Sequence, residues 1–152
     1  MVSEPELETT PANVPQVFKT TPSRAEILRL QAAMLGMERE EVPVEHTFGP
    51  GFYARTIHIK AGTVLVGKVH ATEHLFFVSK GEIALATEDG VHHVRAPFQT
   101  VARPGLKRVG VAITDVTCTN VHITSETDLA KLEAELIVPE ALEAPAAVEA
   151  LA

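Results

Sequence analysis

The sequence predicts a mainly β protein, an antiparallel sandwich or barrel with a short helix before it and another after it. Three observations predict this. From residue 41 to 124 the chain falls into short runs rich in β-branched residues, among them YARTIHI, VLVGKVH, LFFVSKG, VHHVRAP and KRVGVAI. Glycine and proline punctuate these runs at roughly 8–12-residue intervals, the pattern of many short strands joined by turns. On either side the apolar residues change to helical spacing and helix-start signals appear.

Residues 1–22 carry prolines at positions 5, 11, 15 and 22 among scattered threonines, and read as a flexible arm. The helical unit spans 23–40. Ser23 and Glu26 form a capping box, Pro22 and Ile27 sit where a hydrophobic staple would, and Ile27, Leu30 and Met34 make one apolar stripe. A left-handed cap is expected at Gly36, giving a helix over 24–36 that packs on the domain. The β unit spans 41–126, with a hairpin expected at Glu88-Asp89-Gly90. A second helix is expected within 127–138, capped by Ser125 toward Asp128, striped by Leu129, Leu132 and Leu136, and stopped by Pro139. Residues 139–152 are alanine-rich and acidic, and read as a frayed tail or a docking peptide.

Composition excludes several roles. The net charge of −7 disfavours a general electrostatic grip on nucleic acid or an anionic membrane. One tyrosine and no tryptophan argue weakly against a stacking surface for single strands. No run of about 18 apolar residues is present to span a bilayer. The first fifteen residues lack the apolar segment of a signal peptide, so secretion by that route is not expected. The single cysteine, Cys118, allows no internal disulfide and has nothing nearby to lower its pKa. No nucleophile elbow, P-loop, dinucleotide fingerprint or HExxH is present.

The chemistry concentrates in GKVHATEHLFFVSKG, residues 67–81, and in ARPGLKR, residues 102–108. The run from about Glu45 to Thr124 resembles the cupin superfamily, a small jelly-roll barrel of antiparallel strands. That resemblance implies a divalent metal held by three histidines and a glutamate from two motifs, each marked by a glycine turn. With Gly81 as the turn glycine, the glutamate position falls on His74 and the first two histidine positions on Lys68 and His70. The third histidine position, after Pro104-Gly105, falls on Arg108. A narrower likeness covers roughly residues 24–138. HTFGPGFYARTIHIKAGTVLVGKVHATEH, ARPGLKRV and VHITSETDLAKLEAELI are similar to short cupin-like proteins encoded by tailed bacteriophages and prophages. On that likeness Lys68, His70, Glu73, His74, Lys107 and Arg108 belong to the group's ordinary pattern.

Strand parity bears on the same residues. Side chains alternate across a strand, so Val64, Val66, Lys68 and His70 share one face, His74, Phe76 and Val78 another, and Arg108, Gly110 and Ala112 a third. All three faces are expected to point inward, bringing Lys68, His70, His74 and Arg108 to one barrel mouth, with Glu73 on the opposite face of its strand. Two cations beside two imidazoles make a poor metal site, with His70 and His74 the only ligands. Three occupants stay open: a divalent metal at low occupancy, a small anion gripped by Arg108 and Lys68, or internal carboxylates from Glu73, Glu82 or Asp115 that make the cluster a staple. His46, His58, His92, His93 and His122 carry weaker signals, His92 and His93 being expected in solvent. Arg55, Arg95 and Arg103 are expected to be surface or strand-pair charges.

The first expectation for function is a non-catalytic virion accessory or decoration protein, with no cofactor, tied through its terminal arms to copies of itself and to other virion proteins, in the virion or host cytoplasm. The alternatives are a metal-dependent enzyme acting on a sugar, nucleotide or small organic acid, and a small-anion-binding module. In both, the pocket is Lys68, His70, Glu73, His74 and Arg108.

Overall fold

A computed structural model describes residues 18–140; the expected terminal arms at 1–17 and 141–152 lie outside the described residues. Helix α1, Arg24–Met34, begins at the capping box read from the sequence. The Glu26 N–H donates to Ser23 Oγ at 3.1 Å, and Glu26 Oε1 accepts from the Ser23 N–H at 3.3 Å. The helix ends two residues sooner than expected. Leu35 caps it in right-handed geometry, and Gly36 has no positive φ, because the Leu35 N–H still reaches the Gln31 and Ala32 carbonyls.

Nine strands follow: β1 (Val44–Gly49), β2 (Phe52–Ile59), β3 (Val64–Val66), β4 (His74–Lys80), β5 (Glu82–Thr87), β6 (Gly90–Arg95), β7 (Phe98–Ala102), β8 (Arg108–Ala112) and β9 (Val116–Ile123). They form two antiparallel sheets, ordered β1-β2-β9-β4-β7 and β3-β8-β5-β6. The chain crosses between sheets repeatedly, so β2 lies against β9 and β3 against β8: the expected jelly roll. Turn chemistry fits. Pro50-Gly51 joins β1 to β2 with Gly51 at φ 80, the pairing that a type II turn requires. Gly81 has φ 86, and a Cβ there would collide with the Asp115 backbone oxygen, so the turn before β5 admits only glycine. The expected hairpin closes over Glu88-Asp89, with Thr87 opposite Gly90.

The two inner faces meet in a core built on Ile59, Phe76, Val78, Ile83, Val94, Ala112, Val116 and Cys118. Helix α1 covers the outer face of the four-stranded sheet, where Ile27 packs on Ala86 and Val109. Ile27 is 1% exposed, and burying such a side chain contributes about 1.5–3 kcal/mol. Helix α2, Leu129–Leu136, starts later than expected: Asp128, not Ser125, is the N-cap, accepting from the Lys131 N–H at 3.0 Å. Its Leu132 and Leu136 pack on Tyr53 of β2. The chain then runs back along the segment before β4. Ala71 donates to the Leu136 carbonyl at 2.7 Å, Val138 to the Val69 carbonyl at 2.9 Å, and Ile137 bridges His70. Among the described residues, no helix is long and apolar enough to cross a membrane.

Candidate metal centre

The register of the five-stranded sheet sorts its inner face into layers, because residues directly opposite one another share a face. Ile59 stands against Val116, then Ile57 against Cys118 with Val78 beyond. The next layer is Arg55, Asn120 and Phe76, and above it Tyr53 pairs with His122. His74 opens β4 one step above Phe76 on the same face. The floor of the barrel is therefore apolar and its upper two layers carry the chemistry.

His70 reaches the same place from the segment after β3. Its carbonyl accepts from the Gly105 N–H at 3.0 Å, which ties it to the Pro104-Gly105 turn. The three rings cluster closely, with centroids 4.3 Å apart for His70 and His74, 4.9 Å for the stacked His70 and His122, and 4.7 Å for His74 and His122. One nitrogen from each ring lies within 4.8 Å of the other two. His70 Nδ1, His74 Nε2 and His122 Nδ1 are buried without a hydrogen-bond partner. Three buried nitrogens without partners, one on each ring of the cluster, would be a cost unless something binds them. His74 Nδ1 sits 3.2 Å from the Thr72 carbonyl, which holds its proton there and leaves Nε2 free to ligate.

Electrostatics agree. Burial, then the neighbouring His74 and His122, then Arg108 and Arg55, push the His70 pKa down to about 3. Burial, His74 and Arg55 push His122 down to about 4. Burial also lowers His74, against a bond to Thr72 that favours its charged form. All three imidazoles are neutral at pH 7, the form that ligates.

His70 and His74 are thus brought together as expected, and Arg108 joins them in the barrel with its Cζ 4.3 Å above the Phe76 ring. Glu73 is exposed, facing away as parity implied. Lys68 corrects the expectation: it is exposed, with Nζ 2.6 Å from Glu133 Oε1 of α2. Strand β3 turns its other face inward: Leu65, opposite Gly110, packs on the core, whereas Val66 packs under α1 and Val64 is 37% exposed, so the face expected to carry Lys68 inward points out, and Val69 is buried instead. The internal carboxylates do not neutralise the cluster. Glu82 engages His93 at 3.1 Å and Arg95 at 3.6 Å, and Asp115 Oδ1 accepts from the Ala61 N–H at 2.9 Å. His93, expected in solvent, is buried. Burial pushes the Cys118 thiol up to about 11, an unreactive group.

Two residues of the cluster and its cavity are not singled out by the sequence. His122 reads there as a weak lone histidine, yet alternation in CTNVHIT puts it on the face of Cys118. Arg55, expected at the surface, lines a cavity of about 470 Å³ beside His70 and His122. Val42, Ile57, Leu65, Leu132 and Leu136 form its apolar wall, and Tyr53 stands at its edge with its hydroxyl 2.6 Å from His46 Nδ1.

No family profile matches the chain, and no curated protein does. Solved structures do. A salicylate 1,2-dioxygenase from Pseudaminobacter salicylatoxidans superposes with a TM-score of 0.51 at 13% identity, over 71% of this chain and 33% of that one. A cupin superfamily protein from Desulfitobacterium hafniense gives 0.49 at 8% identity, over 80% of this chain and 100% of its own. KdgF from Halomonas sp. gives 0.48 at 15%, over 56% and 82%. At these identities the likeness is one of fold: the chain folds as a small cupin jelly roll, with a three-histidine cluster in its upper layers.

Proposed function

We propose that this protein is a metal-dependent cupin that acts on a small molecule held in the cavity beside His70 and His122. The observation that carries this reading is the convergence of three neutral imidazoles, one nitrogen of each within 4.8 Å of the other two, with a buried unpartnered nitrogen on every ring. The donor set suits a first-row divalent ion such as Zn²⁺, Fe²⁺ or Ni²⁺. Three protein ligands are the number that leaves a position open for water or substrate. An ion bound there would supply Lewis-acid polarisation of a substrate oxygen. The protein's own contribution is to fix the three rings, to keep them deprotonated through burial, and to hold the substrate's body against the aliphatic wall of the cavity. Of the two cations that weigh against a metal, Lys68 points to solvent, while Arg108 remains in the barrel over Phe76.

The test is Co²⁺ titration of the metal-free protein, read by its visible absorption and by elemental analysis. One ion per chain is expected, with binding abolished in His122→Ala as well as in His70→Ala. Full binding by His122→Ala, or none by the wild type, overturns the reading. The virion-accessory role rests on the sequence likeness and on terminal segments outside the described residues. Stoichiometric retention in purified particles is the measurement that would support it.

A further inference from the structure

We propose that the cavity takes a small aliphatic carboxylic acid, its carboxylate held by the fork of Arg55. This deepens the proposed function and rests on it for a place in a reaction, but the carboxylate contact itself needs no metal.

The argument begins with unbalanced charge. Arg55 is half-buried on the inner face of β2 and, among the described residues, has no ion pair or hydrogen bond. Its cross-strand neighbours are His46 and Asn120, and His46 Nδ1 already engages the Tyr53 hydroxyl. Arg108 likewise has no acidic partner among the described residues and lies over Phe76 instead. Lys107 shows how this chain treats a cation it buries for structure: it is 0% exposed and its Nζ meets Glu140 at 2.6 Å and Gln31 at 2.7 Å. Two guanidiniums left without acids in the same barrel as the histidines therefore call for an anion from outside. A divalent ion at the histidines would sharpen that demand.

Shape and polarity narrow the anion. A single guanidinium fork matches the two coplanar oxygens of a carboxylate. Ile57, Leu65, Leu132 and Leu136 give the cavity an aliphatic wall, Lys68 and Glu133, which also line it, are paired with each other, and the volume of about 470 Å³ holds a short branched chain.

The probe is 4-methylpentanoate, titrated calorimetrically into the full chain alongside its neutral amide and inorganic phosphate, first metal-free and then with Zn²⁺. The acid is expected to bind metal-free, with the amide at least about tenfold weaker. Arg55→Gln is expected to weaken the acid about 10- to 100-fold and leave the amide unchanged, with circular dichroism confirming the fold. Arg55→Lys is expected to recover only part of the loss. Equal binding of acid and amide, unchanged binding by Arg55→Gln, tighter binding of phosphate than of the acid, or no binding of the acid overturns the proposal. The two readings separate cleanly. Acid binding without Zn²⁺ uptake overturns the metal centre alone, and Zn²⁺ uptake without acid binding overturns the carboxylate site alone.

Discussion

Lys107 is the largest fully buried side chain, and it is charged. It joins the turn before β8 to Gln31 on α1 and to Glu140, whose side chain is 16% exposed. Removing one partner of a buried pair leaves the other charge uncompensated, at a cost of about 3–5 kcal/mol. Lys107→Met keeps most of the volume and is expected to lose stability in that range in urea melts. Glu140→Gln, which keeps a hydrogen-bond acceptor, is expected to lose less. Equal small losses would show that the pair contributes little. The sequence marked Lys107 only as part of a pattern, because nothing local shows that residues 31 and 140 meet it. The same blindness hid His122. Local spacing identified His70 and His74, but the third ligand becomes visible only when β9 is laid in register against β2, and the weak prior for a lone histidine then no longer applies.

At the scale of elements, α2 forms one wall of the cavity and is held in two ways. The Lys68–Glu133 pair is short but its side chains are 59% and 61% exposed, and such pairs contribute about 0–1 kcal/mol. Leu132 and Leu136, both 3% exposed, carry most of the attachment through Tyr53. Leu136→Ala is therefore expected to destabilise by about 2–5 kcal/mol and Lys68→Ala by less than about 1. Hydrogen exchange gives a sharper readout. The Ala71 and Val138 amides, which bond across this junction, are expected to lose protection in Leu136→Ala and keep it in Lys68→Ala. The reverse order would mean that the ion pair, not the leucines, seats the helix. Helix starts were legible where a capping box stood, as at Ser23. The misplaced start at Ser125 reflects two good caps three residues apart, with Asp128 winning because its carboxylate reaches the Lys131 N–H.

The jelly roll as a whole was legible because period-two alternation and glycine turns are local and each strand carries both. The pocket was only half legible, because its contents depend on which strands become neighbours and which face of β3 turns inward. The assembled pocket has a global consequence that its parts do not. An unfolded histidine titrates near 6.5, whereas burial and mutual repulsion hold His70 down to about 3 and His122 to about 4, with His74 lowered too. Below pH 6.5 the unfolded chain therefore binds protons that the folded chain refuses, and stability falls as pH falls. The contribution is fully present above about 6.5 and is lost progressively toward 4, at up to about 1.4 kcal/mol per pH unit for each histidine. Glu133, whose carboxyl the Lys68 ammonium holds below its ordinary value of 4.5, acts in a lower window and does not confuse the reading. Urea melts of metal-free protein at pH 7.5, 6 and 5 are expected to show this decline, and His70→Leu to make it shallower. Zn²⁺ is expected to raise the stability at pH 7.5 and to steepen the fall, since protons and metal compete for the same nitrogens. Flat stability from pH 7.5 to 5 would mean that the three rings are open to solvent, and the centre would lose its physical basis.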